Sequence, residues 1–287
     1  MRSSHDAPGR TLQAAPPPAQ SPRAGGLRAT PIRARGSDFA AFEAAADSPS
    51  SGALLIWAAG WGQSHLELLP LAEAARRCGR SILLDLPGFG AAPPPAAAWS
   101  TADYADAAAE WLAGMPAARP IWIGHSFGCR VGLQLAARHP ELVAGLFLIA
   151  APGLRPMRSL AQRARLAARR WAFRATRGLV PEGPARERLR QRFGSADYRR
   201  AGPAMRQVLV KAVNEDLSAA ARAVHCPTVL VYGADDRDTP PDIGERLQRL
   251  MPQSRLVVLR GFGHLDITTD GRHQLAQLLA EFVERLA

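Results

Sequence analysis

The sequence predicts an α/β fold, with a mostly parallel central sheet flanked by helices. First, apolar runs of strand length occur along the chain without the polar alternation of a half-exposed strand. Second, segments with the apolar spacing of helices separate these runs, and this alternation builds a parallel sheet covered on both faces. Third, 47% of the residues are hydrophobic, which is enough to fill a large core.

The predicted elements alternate from about residue 53 to the end of the chain. Each strand is bounded by turn residues, and each helix places its apolar residues on one face. The predicted strands cover 53–57, 81–85, 120–124, 143–150, 228–232 and 256–259. The predicted helices cover 66–77, 101–112, 128–138, 243–250 and 274–286.

Two segments do not fit this alternation. Residues 1–37 are rich in arginine, proline and alanine, and we expect them to form a disordered tail before a domain over 38–287. Residues 153–223 contain no clear strand and many arginines, so we expect an inserted helical lid there. The arginines of this insertion suggest an anionic acyl substrate, such as a thioester of coenzyme A or a carboxylate.

The basic charge does not by itself indicate nucleic-acid binding. The formal net charge is +11, but Lys211 is the single lysine among 36 basic residues. This imbalance, together with the abundant alanine, glycine and proline, is typical of a GC-rich coding bias. No apolar run approaches the roughly 20 residues that span a bilayer, so we expect no membrane span.

The cysteines indicate neither a disulfide framework nor a metal site. Cys78, Cys129 and Cys226 are few, odd in number and widely spaced. We expect them to be small buried side chains in a reducing compartment, and therefore predict a cytoplasmic protein.

A serine turn carries the strongest chemical signal. Gly124-His125-Ser126-Phe127-Gly128 matches G-x-S-x-G, after a predicted strand and before a predicted helix. A sharp strand-to-helix turn lifts the serine hydroxyl out of the sheet and requires small flanking residues. The hydroxyl then lies at a helix N-terminus, where free N–H groups favour developing negative charge.

With this turn in place, the chain resembles the α/β-hydrolase superfamily over roughly 52–287, most closely its small esterases and carbon–carbon bond hydrolases. The resemblance implies the chain order serine, acid, histidine. It selects Asp236, three residues after Gly233, as the acid, with Asp235 and Asp238 as rivals. It also selects His264, in the loop Gly261-Phe262-Gly263-His264, as the general base.

The same resemblance implies an oxyanion hole built from two backbone N–H groups. Phe127 follows the serine and supplies one donor, and Trp61 in the loop after the first predicted strand supplies the other. Ala59 stands where the family usually has a histidine that braces this loop. Trp57, Gln63 and His65 are candidates for that bracing role.

The predicted activity is therefore hydrolysis of an ester, thioester or related acyl bond through an acyl-enzyme, without metal or organic cofactor. Carbon–carbon bond hydrolysis, acyl transfer and cofactor-free peroxidation use the same triad and stay open. A non-catalytic binding protein on the same fold is the alternative from another class, because Ala59 departs from the family pattern.

Overall fold

The computed structural model describes residues 27, 29–44, 53–115, 119–154, 168 and 196–287. Eight strands form one sheet in the order β1-β2-β4-β3-β5-β6-β7-β8. The pairs of β1 with β2 and of β2 with β4 are antiparallel, and the other five pairs are parallel. The strands are β1 (Ala29–Ala34), β2 (Ser37–Ala44), β3 (Ala53–Ala58), β4 (Gly79–Asp85), β5 (Ile121–His125), β6 (Gly145–Ile149), β7 (Thr228–Gly233) and β8 (Ser254–Leu259). The predicted α/β fold with a mostly parallel sheet is confirmed.

The helices alternate with the parallel strands, as the sequence predicts. In the described part of the chain they are α1 (His65–Ala74), α2 (Thr101–Ala113), α3 (Phe127–Arg138), α4 (Ala196–Arg200), α5 (Pro203–Asn214), α6 (Ser218–Arg222), α7 (Pro241–Leu250), α8 (Asp266–Thr269) and α9 (Arg272–Leu286). Capping boxes start two of them: Ser64 pairs with Glu67 at α1, and Ser100 with Asp103 at α2.

Two hydrophobic cores lie on opposite faces of the sheet. Successive side chains of a strand point to opposite faces, so β3 contributes to both cores. Ile56 packs into the core that includes apolar residues of α2 and α3, whereas Leu55 and Trp57 pack into the core that includes those of α1 and α9. All three residues are buried, which explains why the strand is apolar throughout.

The predicted boundary of the N-terminal tail is wrong, because part of the segment 1–37 is folded. Residues 29–34 form β1, which pairs with β2 through a tight turn at Arg35 and Gly36, both with positive φ. Ile32 and Ala34 are buried. The alternation of exposed and buried residues in β1 is short and lies among arginines and prolines, so composition alone predicted disorder. Residues 1–26 and 28 lie outside the described residues.

The predicted insertion at 153–223 lies between β6 and β7. Its described part contains the helices α4, α5 and α6, while residues 155–167 and 169–195 lie outside the description. Within the described ranges, the structure contains no helix long and apolar enough to cross a membrane.

The sheet order brings several functional loops to one edge. β3, β5, β7 and β8 are parallel, so their carboxyl ends face the same side of the sheet. The loop after β3, the serine turn after β5 and the loops after β7 and β8 therefore lie along one rim. Ligand sites of open α/β sheets form at this edge.

Candidate active site

Ser126 lies in a strained turn between β5 and α3. Its φ is 47° and its ψ is −104°, and it is one of three non-glycine residues with positive φ among those described. Its backbone N–H donates to the carbonyl of Ile149 at 3.0 Å. Such a conformation costs on the order of 1–3 kcal/mol and persists where surrounding structure fixes it. The turn projects the hydroxyl above the sheet.

The glycines on both sides of Ser126 have a steric cause. A Cβ atom on Gly124 would lie 2.6 Å from the backbone nitrogen of Cys129. A Cβ atom on Gly128 would lie 2.0 Å from the carbonyl oxygen of Ala58. Because both neighbours are backbone atoms, neither can move aside easily, and glycine is required at each position.

Three predicted residues meet in a hydrogen-bonded chain. His264 Nε2 lies 3.1 Å from Ser126 Oγ, and His264 Nδ1 lies 2.8 Å from Asp236 Oδ2. The Asp236 side chain is inaccessible to solvent, while the His264 side chain is 14% exposed. Since an ionised carboxylate only accepts, the proton between them resides on His264 Nδ1, which leaves Nε2 as an acceptor for the serine hydroxyl.

A dense set of donors surrounds the Asp236 carboxylate. Oδ1 accepts the backbone N–H groups of Asp238 and Thr239, each at 2.8 Å, and Oδ2 accepts the Thr239 hydroxyl at 2.7 Å. Burial raises the pKa of Asp236, but the hydrogen bonds from His264 and Thr239 outweigh it and hold the pKa below its usual range. Asp236 is therefore ionised at neutral pH.

The other nearby carboxylates have different contacts. Asp235 and Asp238, the rivals for the acid position, are exposed. Asp238 contributes its backbone N–H to Asp236. Asp266 Oδ1 accepts the backbone N–H of Gly263 at 2.7 Å and so orders the loop before His264. Of these aspartates, only Asp236 forms a hydrogen bond with His264 Nδ1.

Trp61 and Phe127, the predicted oxyanion-hole residues, lie next to each other. Their rings meet edge to face with centroids 5.4 Å apart, and Phe89 packs against both. The loop after β3 is joined to the serine turn by the Gly128 N–H, which donates to the carbonyl of Ala59 at 3.1 Å. The two segments expected to supply oxyanion donors are thus in direct contact.

Gln63 braces the loop in which Ala59 replaces the expected histidine. Its Oε1 accepts the Gly60 N–H at 2.8 Å and lies 3.0 Å from Nδ1 of His125. His125 Nε2 in turn lies 2.9 Å from the carbonyl oxygen of His264. Burial, and after it the neighbouring His264, lowers the pKa of His125 to about 4, so this ring is neutral at pH 7.

Comparison with known proteins identifies the family. The sequence profile described as "Alpha/beta hydrolase family" matches residues 52–278. The chain belongs to this family. The same range holds the serine turn, Asp236 and His264, so the match covers every part of the site described above.

Among relatives of this hydrolase is the pimeloyl-[acyl-carrier protein] methyl ester esterase of Neisseria meningitidis serogroup C. It is 30% identical over 261 residues, covering 78% of this chain and 91% of that protein. A 2-hydroxy-6-oxononadienedioate/2-hydroxy-6-oxononatrienedioate hydrolase of a Pseudomonas species is 24% identical over 230 residues, covering 72% and 77%. The solved structure of a thermophilic esterase from Thermogutta terrifontis superposes with a TM-score of 0.66 at 21% identity, covering 90% of this chain and 99% of that one. This chain is therefore a hydrolase.

A cavity of about 760 Å³ opens at the serine of this hydrolase. Ser126 and His264 lie in its wall together with the loop that contains Trp61. Apolar side chains that include Phe89, Phe127 and Met205 line it, and α4 and α5 contribute further residues. The site is therefore accessible to a substrate with an apolar portion.

One group in the described part of the hydrolase has the composition of a metal site. Ligand-type atoms of Asp236, Asp238 and His264 lie within 4.8 Å of one another. However, the hydrogen bond from His264 Nδ1 to Asp236 places a proton on that nitrogen, so it has no free lone pair. The geometry fits a carboxylate that orients an imidazole.

Thr239 completes the site but was not among the residues predicted from sequence. Its hydroxyl lies 2.7 Å from Asp236 Oδ2, 3.1 Å from His264 Nδ1 and 3.2 Å from the carbonyl oxygen of Ala150. Its position three residues after Asp236, where a side-chain oxygen accepts backbone N–H groups in a turn, was the available signal.

His65, another candidate for bracing the loop after β3, instead pairs with Asp85, and its Nδ1 lies 3.1 Å from Asp85 Oδ2.

Proposed function

We propose that this hydrolase cleaves an ester, thioester or related acyl bond through an acyl-enzyme, with Ser126 as nucleophile, His264 as general base and Asp236 as the orienting acid. The observation that carries the proposal is the continuous chain from Ser126 Oγ through His264 to Asp236, with contacts of 3.1 and 2.8 Å. These separations are within hydrogen-bond reach, as activation of a serine requires.

The first chemical step follows from these hydrogen bonds among Ser126, His264 and Asp236. His264 Nε2 takes the hydroxyl proton as Ser126 Oγ attacks the substrate carbonyl, and the imidazolium that forms is stabilised by Asp236. Because the pKa of Asp236 is lowered, its negative charge is present at neutral pH when the imidazolium develops. The proton then passes to the leaving group, and water releases the acyl group by the reverse sequence.

The oxyanion formed in both steps needs two donors. We assign them to the backbone N–H groups of Phe127 and Trp61, whose side chains already contact each other. The N–H of Phe127 lies in the first turn of α3, where the helix dipole also favours negative charge. Neither donor depends on the residue at 59, so the replacement by Ala59 leaves this chemistry available.

We assign the role of a lid to the insertion at 153–223. Its described helices α4 and α5 line the cavity with Arg200 and Leu209, among other residues. A helical segment over the serine separates the substrate from water and selects among acyl groups.

A fluorophosphonate probe tests the proposed nucleophile. We expect stoichiometric labelling of the wild type, none of Ser126→Ala, and normal labelling of Ser218→Ala, whose serine lies outside the cavity lining. Peptide mapping should place the label on Ser126. A wild-type protein that resists the probe, or equal labelling of Ser126→Ala, would refute the assignment.

A second candidate is carbon–carbon bond hydrolysis, favoured by the similarity to the Pseudomonas hydrolase. The comparison is a panel of neutral acyl esters, acyl thioesters and ring-fission diketones, assayed with wild type and Ser126→Ala. We expect the ester or thioester members to give the highest kcat/KM. Preference for the diketones by tenfold or more would favour the second candidate while leaving the triad assignment intact.

A further inference from the structure

Arg130 places a guanidinium in the wall of the active-site cavity. It follows Ser126 by four residues and lies in the first turn of α3, which begins directly after Ser126. Arg130 lines the same cavity as Ser126 and His264.

The Arg130 side chain leaves part of its hydrogen-bonding capacity unused within the described structure. Its Nη1 atom is buried and has no hydrogen-bond partner. Burial lowers the pKa of Arg130, and the nearby Glu215 opposes this, but no ion pair within 4.0 Å joins Arg130 to any described carboxylate. Glu215 instead accepts the hydroxyl of Thr101. A guanidinium keeps its charge in proteins, so Arg130 presents to the cavity a cation whose Nη1 donors are unused.

The other charged residues of the cavity wall differ from Arg130 in exposure. Among the described lining residues, Asp197, Arg200 and Asp238 are exposed, and water screens their charges. The Arg130 guanidinium lies in a lower dielectric, where a charge-assisted hydrogen bond is stronger. A buried donor without a partner is costly, which favours a ligand that supplies the acceptor.

The cavity wall that contains Ser126 and Arg130 also offers apolar surface to a hydrocarbon segment. Phe89, Phe127, Met205 and Leu209 line the cavity with apolar groups. The cavity therefore combines a nucleophile, an apolar wall and a cation. This combination matches an ester whose reacting carbonyl is separated from an anionic group by methylenes.

We propose that Arg130 binds a carboxylate carried by the substrate, and that this hydrolase selects esters with a free carboxylate over neutral esters of the same length. The proposal rests on the proposed function for turnover but concerns recognition alone. The planar guanidinium can donate two parallel hydrogen bonds to a carboxylate. The carboxylate can belong to the acyl group or to the alcohol group, and the chemistry of recognition is the same.

The kinetic test uses matched pairs of esters. One pair compares nitrophenyl half-esters of straight-chain dicarboxylic acids with the corresponding neutral alkanoyl esters. A second pair places the carboxylate on the alcohol portion. We expect wild type to prefer the anionic member of at least one pair by about 10- to 100-fold in kcat/KM, the range for a charge-assisted hydrogen bond. Arg130→Met should abolish this preference, so that the two members of each pair are turned over with similar kcat/KM, and Arg130→Lys should retain part of it.

Arg200→Met is the matched control, because it removes the same charge from the exposed part of the cavity wall. We expect it to keep the preference. Equal loss in Arg200→Met and Arg130→Met would indicate general electrostatic attraction and overturn the proposal. Equal turnover of both members of each pair by wild type would also overturn it. Melting temperatures of all variants identify any that fail to fold.

A binding measurement separates this proposal from the proposed function. Calorimetric titration of Ser126→Ala with the same half-esters needs no turnover, and we expect Ser126→Ala/Arg130→Met to bind them at least tenfold more weakly. If wild type cleaves no ester but Arg130 governs binding, the proposed function fails and this inference stands. If wild type cleaves esters but Ser126→Ala/Arg130→Met binds the half-esters as tightly as Ser126→Ala, the proposed function stands and this inference fails.

Discussion

The two sides of the active site are built in different ways. On the side of β7 and β8, Asp236 contacts His264, and His264 contacts Ser126, through direct side-chain hydrogen bonds. On the side of β3, the loop with Trp61 is fixed indirectly, by Gln63 and the carbonyl of Ala59. The acid and base side follows the family pattern, whereas the oxyanion side departs from it at residue 59.

This difference separates chemical requirements from structural ones. A proton relay needs particular side chains at hydrogen-bond distance, and these are found at the expected positions. An oxyanion hole needs only backbone N–H groups in a fixed place, and several side chains can hold a loop there. Here Gln63 accepts the Gly60 N–H in the loop where the usual histidine is absent.

The largest expected effect comes from the acid and base side. Asp236→Asn preserves shape but replaces an acceptor of His264 Nδ1–H by an amide, which disfavours the required tautomer. We expect kcat to fall by about 10³- to 10⁴-fold, as tautomer loss does in serine hydrolases. Asp235→Asn changes the exposed neighbouring carboxylate and should stay near wild type in the same ester assay. A comparable loss in both variants would remove the distinction between the two aspartates.

A smaller effect is expected on the oxyanion side. Gln63→Leu removes the acceptor of the Gly60 N–H, so the loop loosens without loss of either oxyanion donor. Loss of one donor costs about 10²- to 10³-fold, and an indirect brace should cost less, roughly tenfold in kcat with little change in KM. Gln63→Glu keeps a side-chain oxygen and should recover part of the activity. An unchanged kcat in Gln63→Leu would show that Gln63 is no brace.

The smallest effect concerns Thr239 and is best seen in stability. The folded pKa of Asp236 is lowered below 3.8, so its stabilising contribution is present above pH 3.8 and is lost as pH falls through the folded value. Thr239→Val removes one hydrogen bond to the carboxylate and raises that folded pKa. We expect a loss of about 1 kcal/mol in the free energy of unfolding at pH 7.

The pH dependence distinguishes this effect from ordinary packing loss. The difference between wild type and Thr239→Val should shrink as Asp236 becomes protonated below pH 3.8. Thr228→Val is the control, since the buried Thr228 hydroxyl donates to a backbone carbonyl at 3.2 Å and not to a carboxylate. Denaturant unfolding from pH 3 to 7 measures both. A gap that stays constant with pH in Thr239→Val would contradict the prediction.

The parallel sheet and the meeting of Ser126, Asp236 and His264 could be predicted from sequence, because short-range patterns and the order of motifs determine them. The apolar strands and the glycines around Ser126 are local signals, and the order of Ser126, Asp236 and His264 follows the family. The sheet then brings these residues together without further information. The same reasoning missed the β1–β2 hairpin, where Ile32 is buried between arginines and proline and the alternation covers few residues.

The bracing of the oxyanion loop could not be predicted, because it depends on contacts between distant segments. Gln63 reaches His125 across 62 residues of sequence, and His125 reaches the carbonyl of His264 across 139. Sequence reasoning named Gln63 among three candidates but could not rank them. Their local sequence is uninformative about which side chain meets the Gly60 N–H. The choice among the three candidates is decided only in the folded structure, where the loops that follow β3, β5 and β8 come together.

His125 links the two sides of the site, and each side offers an acceptor for the one proton of its neutral ring. The Gly60 N–H fixes the Gln63 amide with its oxygen toward His125 Nδ1, and His125 Nε2 faces the carbonyl oxygen of His264. Both ring nitrogens therefore face acceptors, yet a neutral imidazole carries one proton. In one tautomer His125 secures the oxyanion loop, and in the other it secures the loop of the general base. The one proton of the neutral His125 ring can therefore support only one of these two loops at a time.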